Sequence, residues 1–267
     1  MTMPSSPRIR CERTAVPSSP HIQCVDAFPD EVKQTQWAKA TWQAACDEVG
    51  EHYECLTHMI RLITGQGSWA RGFMKDVVHK NFKAFKFKEG SSEEIKRYNQ
   101  DLQQSLLQDN AFHHKNQEDV TGFSEHHIVM ATIQDALFED SKSFGVKFSR
   151  YFNPISINLL ALVFTMIEFL INEWSTGEHK KATSRSRVHS ETFEAHYLRT
   201  EQWCDLEPTV TMNIQKRMFR TLMKKAGALD QEDGRGGRGP TGMTESMKER
   251  AKEALAGRTG ETDDEDE

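Results

Sequence analysis

The chain has 267 residues, 40 acidic and 34 basic, and its apolar share of 37% is low beside a charged share of 28%. That length can bury a sizeable core, and the dilute hydrophobicity points to a globular region with unstructured ends. The net charge of −6 is local, since residues 230–267 hold twelve acidic and six basic side chains and the rest is neutral; this excludes a uniformly charged surface as the means of finding partners.

Residues 1–28 repeat the phrase PSSP, at Pro4–Pro7 and Pro17–Pro20, without hydrophobic periodicity, and are expected to be disordered. They contain no apolar stretch of the secretory kind. The cysteines Cys11, Cys24, Cys46, Cys55 and Cys204 are odd in number and lack a C-x-x-C pair, so neither a disulfide framework nor a zinc ribbon is expected. The expectation is an intracellular protein, nuclear or cytoplasmic.

Helical patterning begins at FPDEVKQTQWAKATWQAACDEVG, where Pro29 suits a first turn, Asp30 and Glu31 favour the positive helix end and Gly50 is a stop. A second helix carries Cys55, Leu56, Met59, Ile60 and Ile63 on one stripe and is expected to end at Gly65. A third runs from about Ser68 to Phe85, with Trp69, Phe73, Val77 and Phe85 expected inside. SSEEI reads as a capping box from Ser91 to Glu94 and opens a fourth helix reaching about Gln108. After a polar stretch rich in His and Asn, a fifth occupies about 125–139 with Val129, Ile133 and Leu137 inward. Val188–Asp205 and Pro208–Leu229 read as two more. No window sustains strand alternation. The expected fold is all-α, a single bundle of seven or eight helices over residues 29–229, with disordered tails at 1–28 and 230–267.

The most apolar segment, residues 154–176, follows Asn153 and closes near Gly177. It is shorter than a bilayer demands and contains Ser156, Asn158, Thr165 and Glu168, so no membrane span is expected. At 100° per residue, Asn158, Ala161, Thr165, Glu168 and Asn172 share one narrow stripe while apolar side chains fill the remaining directions. Such a helix is surrounded by others. The stripe admits two readings: satisfied polar contacts between helices or with solvent, or a ligand cavity with Glu168 as a buried carboxylate.

FNPISINLLALVFTMIEFLINEWSTG, with Glu173, Trp174 and Gly177 closing the helix and Phe193 and Tyr197 beyond it, resembles a domain-of-unknown-function family widespread in mushroom-forming (basidiomycete) fungi. GSWARGFMKDVV, with Ser68, Arg71 and Gly72, and LLQDNAF at 106–112 resemble the same family. The similarity covers about residues 35–225. It implies a fungal source and a helical domain, and carries no catalytic or binding residues.

His113-His114 and His126-His127 bracket Glu118 and Asp119, but no metal-ligand spacing such as H-E-x-x-H occurs, and a solvated polar loop is expected. No nucleophile elbow and no phosphate loop is present, so no catalytic residue, metal or cofactor is assigned and the chain is not read as an enzyme. HKNFKAFKFK (79–88) interleaves Lys with Phe, as single-stranded nucleic-acid binders do, or else buries its rings at a helix end. HKKATSRSRVH (179–189) is a basic stretch of the nuclear-import kind. The stronger charge signal is the last helix: Lys216, Arg220 and Lys224 form one row, joined by Arg217 and Lys225, with no acid from 210 to 229 and Val210, Ile214, Met218 and Leu222 on the opposite arc. These five cations are the candidate partner-binding residues. The function expected is a non-enzymatic helical interaction module with a protein partner of unknown identity; the alternative is a nucleic-acid binder using 216–225 and 80–88. A flexible hinge would let the acidic end Glu261–Glu267 fold back and mask the basic helix.

Overall fold

Helix α1, Glu31–Val49, starts where the Asp30 carboxylate accepts the Lys33 N–H at 2.7 Å and stops at Gly50, whose φ of 78° returns its N–H to Cys46 and Asp47. Pro29 therefore precedes the cap instead of opening the first turn. The computed structural model describes residues 27–182 and 186–229, with side chains throughout except at 186–188. The tails expected to be disordered, apart from Ala27 and Phe28, and residues 183–185 of the basic stretch 179–189 lie outside the described residues.

One face of α1, with Ala38, Trp42, Ala45 and Cys46, packs on Met59 and Ile63 of the next helix. The Trp42 indole N–H is satisfied by the Tyr53 carbonyl at 2.8 Å.

Helix α2 spans Thr57–Asn81 without interruption, so the expected stop at Gly65 and restart at Ser68 are corrected to one helix of 25 residues. Each interior glycine costs roughly 1 kcal/mol against alanine. Burial of Met59, Ile63, Met74, Val77 and Val78 against neighbouring helices outweighs that, at about 1.5–3 kcal/mol for each large side chain. Continuity also changes which residues point inward. Trp69 and Phe73, expected inside, are 60% and 36% exposed and stack on each other with centroids 5.4 Å apart.

A 3-10 turn at Phe82–Phe85 leads to α3, Glu93–Leu107, capped by Ser92, one residue later than expected, whose Oγ accepts from the Ile95 N–H. A second 3-10 segment, Gln108–His113, includes Asp109 and Asn110 in the left-handed region. Helix α4, His127–Leu137, is shorter than expected at both ends. A single turn, α5 (Phe144–Lys147), and a 3-10 turn at Ser149–Tyr151 bring the chain to the cis Asn153–Pro154 bond.

Helix α6, Ile157–Asn172, is capped by Ser156, and eleven of its sixteen residues are buried, which makes it the core of the bundle. α2, α3, α4 and α7 (Ser186–Leu206) all pack on it. Helix α8, Pro208–Lys225, begins with proline at its first turn and ends before Gly227, four residues short of the expected boundary. The fold is all-α: eight α-helices and no strand among the described residues, with one isolated bridge between Asn116 and Thr121. No described helix is long and apolar enough to cross a membrane.

Candidate functional site

The last helix divides cleanly. Thr211, Gln215, Met218, Phe219, Leu222 and Met223 are buried, while Lys216, Arg217, Arg220, Lys224 and Lys225 are all exposed on the other half of its circumference. Thr211 secures the corner with α7 by donating to the Cys204 and Glu207 carbonyls at 3.2 and 3.0 Å. Arg217 pairs with Glu125 at 3.2 Å. The other four cations have no ion pair among the described residues. Two assignments on the apolar arc change: Val210 is 53% exposed and Ile214 half-buried, because at 100° per residue both fall between Arg217 and Lys225, within the basic half. Leu206 and Met212 are also exposed, so the basic surface has an apolar margin at its N-terminal end.

The Lys/Phe segment splits into its two chemistries. Phe82 packs on Phe85 and Phe87, Phe87 stacks on Trp174 at 4.8 Å, and Phe85 stacks on His126 at 5.4 Å. Phe82 and Phe85 belong to the core, and Phe87 is half-buried. Lys80, Lys83, Lys86 and Lys88 remain exposed, and the Lys88 ammonium lies 3.9 Å from the Tyr98 ring centroid.

The polar stripe of α6 is a seam between helices. Thr165 returns its hydroxyl to the Ala161 carbonyl at 2.7 Å, and Asn172 accepts from Gln103 of α3 at 3.3 Å. Glu168 meets His196 of α7, with Oε2 and Nε2 2.7 Å apart, a separation at which the ring N–H donates to the carboxylate. His196 is 1% exposed, while the Glu168 side chain keeps 24% of its surface.

Behind His196 lies the largest departure from expectation. His113 and His114, expected in a solvated loop, are buried at 1% and 7% exposure, and so is His126 at 8%. His113 stacks on Phe164 at 4.3 Å and touches Phe123 at 4.6 Å, with His196 at 6.5 Å. Burial, helped by His114 and His196, pushes the His113 imidazole well below its ordinary value, and burial takes His126 down to about 4. Phe112 and Phe123 flanking the histidines were the signal that this polar stretch turns inward. Chemically, the seam offers one carboxylate and one imidazole. Clefts of about 330 Å³ (Asn158, Phe193, Tyr197) and 290 Å³ (His79, Trp174, His179) flank it, and neither has Glu168 or His196 in its wall. Among the described residues no group of three or more His, Cys, Asp or Glu side chains is arranged to hold a metal ion.

The Glu173-Trp174-x-x-Gly177 phrase is architectural. The Glu173 carboxylate, almost wholly buried, accepts from Lys75 at 3.3 Å, His179 at 2.9 Å and the Ala182 N–H at 3.2 Å. Trp174 lies between Phe87 and His179. Gly177 adopts φ +78°, a Cβ there would strike the Lys96 backbone, and its carbonyl accepts from Asn99 at 2.8 Å. The Arg71 guanidinium likewise binds the Ala27 carbonyl at 2.8 Å and covers the Phe28 ring, fastening the start of the described chain to α2.

The family described as Domain of unknown function (DUF6532) matches residues 15–203. The matched span begins before the expected 35 and stops before α8. No curated protein and no solved structure matches the chain.

Proposed function

The chain belongs to the DUF6532 family, and we propose that it serves as a non-enzymatic helical interaction module whose contact surface is the outer face of α8. The observation that carries this reading is the set of four exposed cations, Lys216, Arg220, Lys224 and Lys225, without ion pairs among the described residues. Solvated cations add little to a fold's own stability, so the face that carries them is free to serve association. An acidic protein partner fits it, with Leu206, Val210 and Met212 supplying apolar contact at the margin. Because α8 lies beyond the matched residues, the proposal concerns this chain and is not extended to its family.

The absence of an enzymatic role belongs to the same proposal, supported by the use of Glu168, His196 and Glu173 as partners within the bundle. So does an intracellular location, supported by the free thiols Cys46, Cys55 and Cys204. The alternative, nucleic-acid binding, would rest on phosphate contacts alone, since Phe82 and Phe85 are packed inside; its affinity would fall steeply with salt and be indifferent to sequence.

The test is capture from native extract by the wild-type chain and by Lys216→Glu/Arg220→Glu/Lys224→Glu, each with and without nuclease. Nuclease-resistant partners lost on charge reversal are expected. Capture abolished by nuclease transfers the face to nucleic acid, and equal capture by both proteins removes it from the function.

A further inference from the structure

The outward face of α2 carries large apolar side chains where a monomer's surface helix is polar. His58, Leu62, Gly65, Trp69, Gly72, Phe73 and Asp76 fall within about 100° of its circumference at 100° per residue, and all are exposed. Leu62 and Trp69 keep 50% and 60% of their surface. The stacked Trp69–Phe73 pair stands out from the helix, while a Cβ at Gly65 or Gly72 would meet nothing. Nothing among the described residues accounts for glycine at either place, and both weaken the helix. A ridge beside two hollows on one face is a surface shaped for close approach by another helix.

We propose that this face is a homodimer interface in which α2 packs antiparallel on α2 of a second copy. A twofold axis level with Gly67 sets Trp69 over Gly65 of the second copy, so that ridge enters a hollow, and Phe73 against its Leu62 on the same flank of the seam. The same register brings Asp76 to His58 of the second copy, an acid with an imidazole, and the long Arg61 side chain over its Gly72. Arg61 is itself exposed. No further adjustment is needed for all four pairings, which makes the face complementary to itself, as an isologous contact requires. A parallel pair would oppose Trp69 to Trp69 and Asp76 to Asp76, leaving the glycines facing each other across a void. From His58 to Asp76 the contact is about 27 Å long. One helix pair of that length makes a small interface, so the dissociation constant is on the order of micromolar. The proposal does not depend on the basic face of α8.

Sedimentation velocity of the full chain over a wide concentration range tests it. A monomer–dimer equilibrium is expected, with Trp69→Ala and Gly65→Leu each weakening it at least tenfold. Circular dichroism of Gly65→Leu should show undiminished helix, which separates loss of contact from loss of fold. Asp76→Lys alone should weaken the dimer, and adding His58→Asp should restore it, since the swap rebuilds the pair only in this register. A chain that stays monomeric to several hundred micromolar, whether the face is bare or covered by residues 1–26, overturns the proposal. So does a dimer indifferent to Trp69→Ala and Gly65→Leu, or a double swap that fails to restore.

Discussion

Gly65 and Gly177 both read in the sequence as helix stops, yet substituting alanine at the two should move stability in opposite directions. Gly65 lies inside α2 with helical backbone and open space where a Cβ would go. Alanine there removes backbone entropy from the unfolded chain and should raise stability by about 0.5–1 kcal/mol. Gly177 has φ +78°, which costs an L-residue roughly 1–2 kcal/mol. Its added methyl would also meet the Lys96 backbone, and the overpacking costs typically 1–3 kcal/mol more. Any shift that relieves the clash stretches the 2.8 Å bond from Asn99 to the Gly177 carbonyl. The total for Gly177→Ala is therefore about 2–5 kcal/mol of destabilisation. In a domain of this size 1 kcal/mol moves the midpoint by about 2–4 °C, so thermal unfolding below micromolar concentration resolves both signs. A Gly177→Ala chain as stable as wild type, or a destabilised Gly65→Ala chain, would refute the assignment of one glycine to a helix interior and the other to a required left-handed turn.

Ile167→Ala, at a fully buried position of α6, should cost about 2–5 kcal/mol in urea unfolding, and an unchanged midpoint would remove α6 from the core. Acid should destabilise the fold through His113 and His126, which are neutral when buried and charge more readily in the unfolded chain. Their contribution is complete above about pH 6.5 and is lost as pH falls toward the folded values, by at most about 1.4 kcal/mol per pH unit for each ring. His126→Asn keeps a side chain able to cap α4 in place of the His126 ring, and should flatten the stability–pH profile between pH 6.5 and 4; an unaltered slope would acquit that ring. Deleting residues 259–267, which lie outside the described residues, should raise affinity of the basic helix for a single-stranded oligonucleotide, most visibly at low salt; equal binding by both chains would dismiss masking by the acidic end.

What the sequence determined by itself is set by short-range physics. Apolar residues around all but one narrow stripe of 157–172 require surrounding helices, and α6 has them. Asp30 and Gly50 act on backbone groups within four residues of themselves, so the ends of α1 were legible to within a residue or two, whereas α6 starts at Ile157, three residues later than expected, because Ser156 is its cap. The amphipathic split of α8 was legible too, because one helix carries both faces. Tertiary structure decided whatever depends on competition with distant partners. Gly65 has the local preference of a stop, but burial of residues on both sides of it against α1, α4 and α6 outweighs about 1 kcal/mol of lost propensity. That continuity then turned Trp69 and Phe73 outward. In the His113–His114 stretch the flanking Phe112 and Phe123 are the one local sign of burial, and they do not say what the imidazoles pack against. The stretch is buried because Phe164 and His196, some 50 and 80 positions away, close over it, a contact that exists only once α6 and α7 have packed.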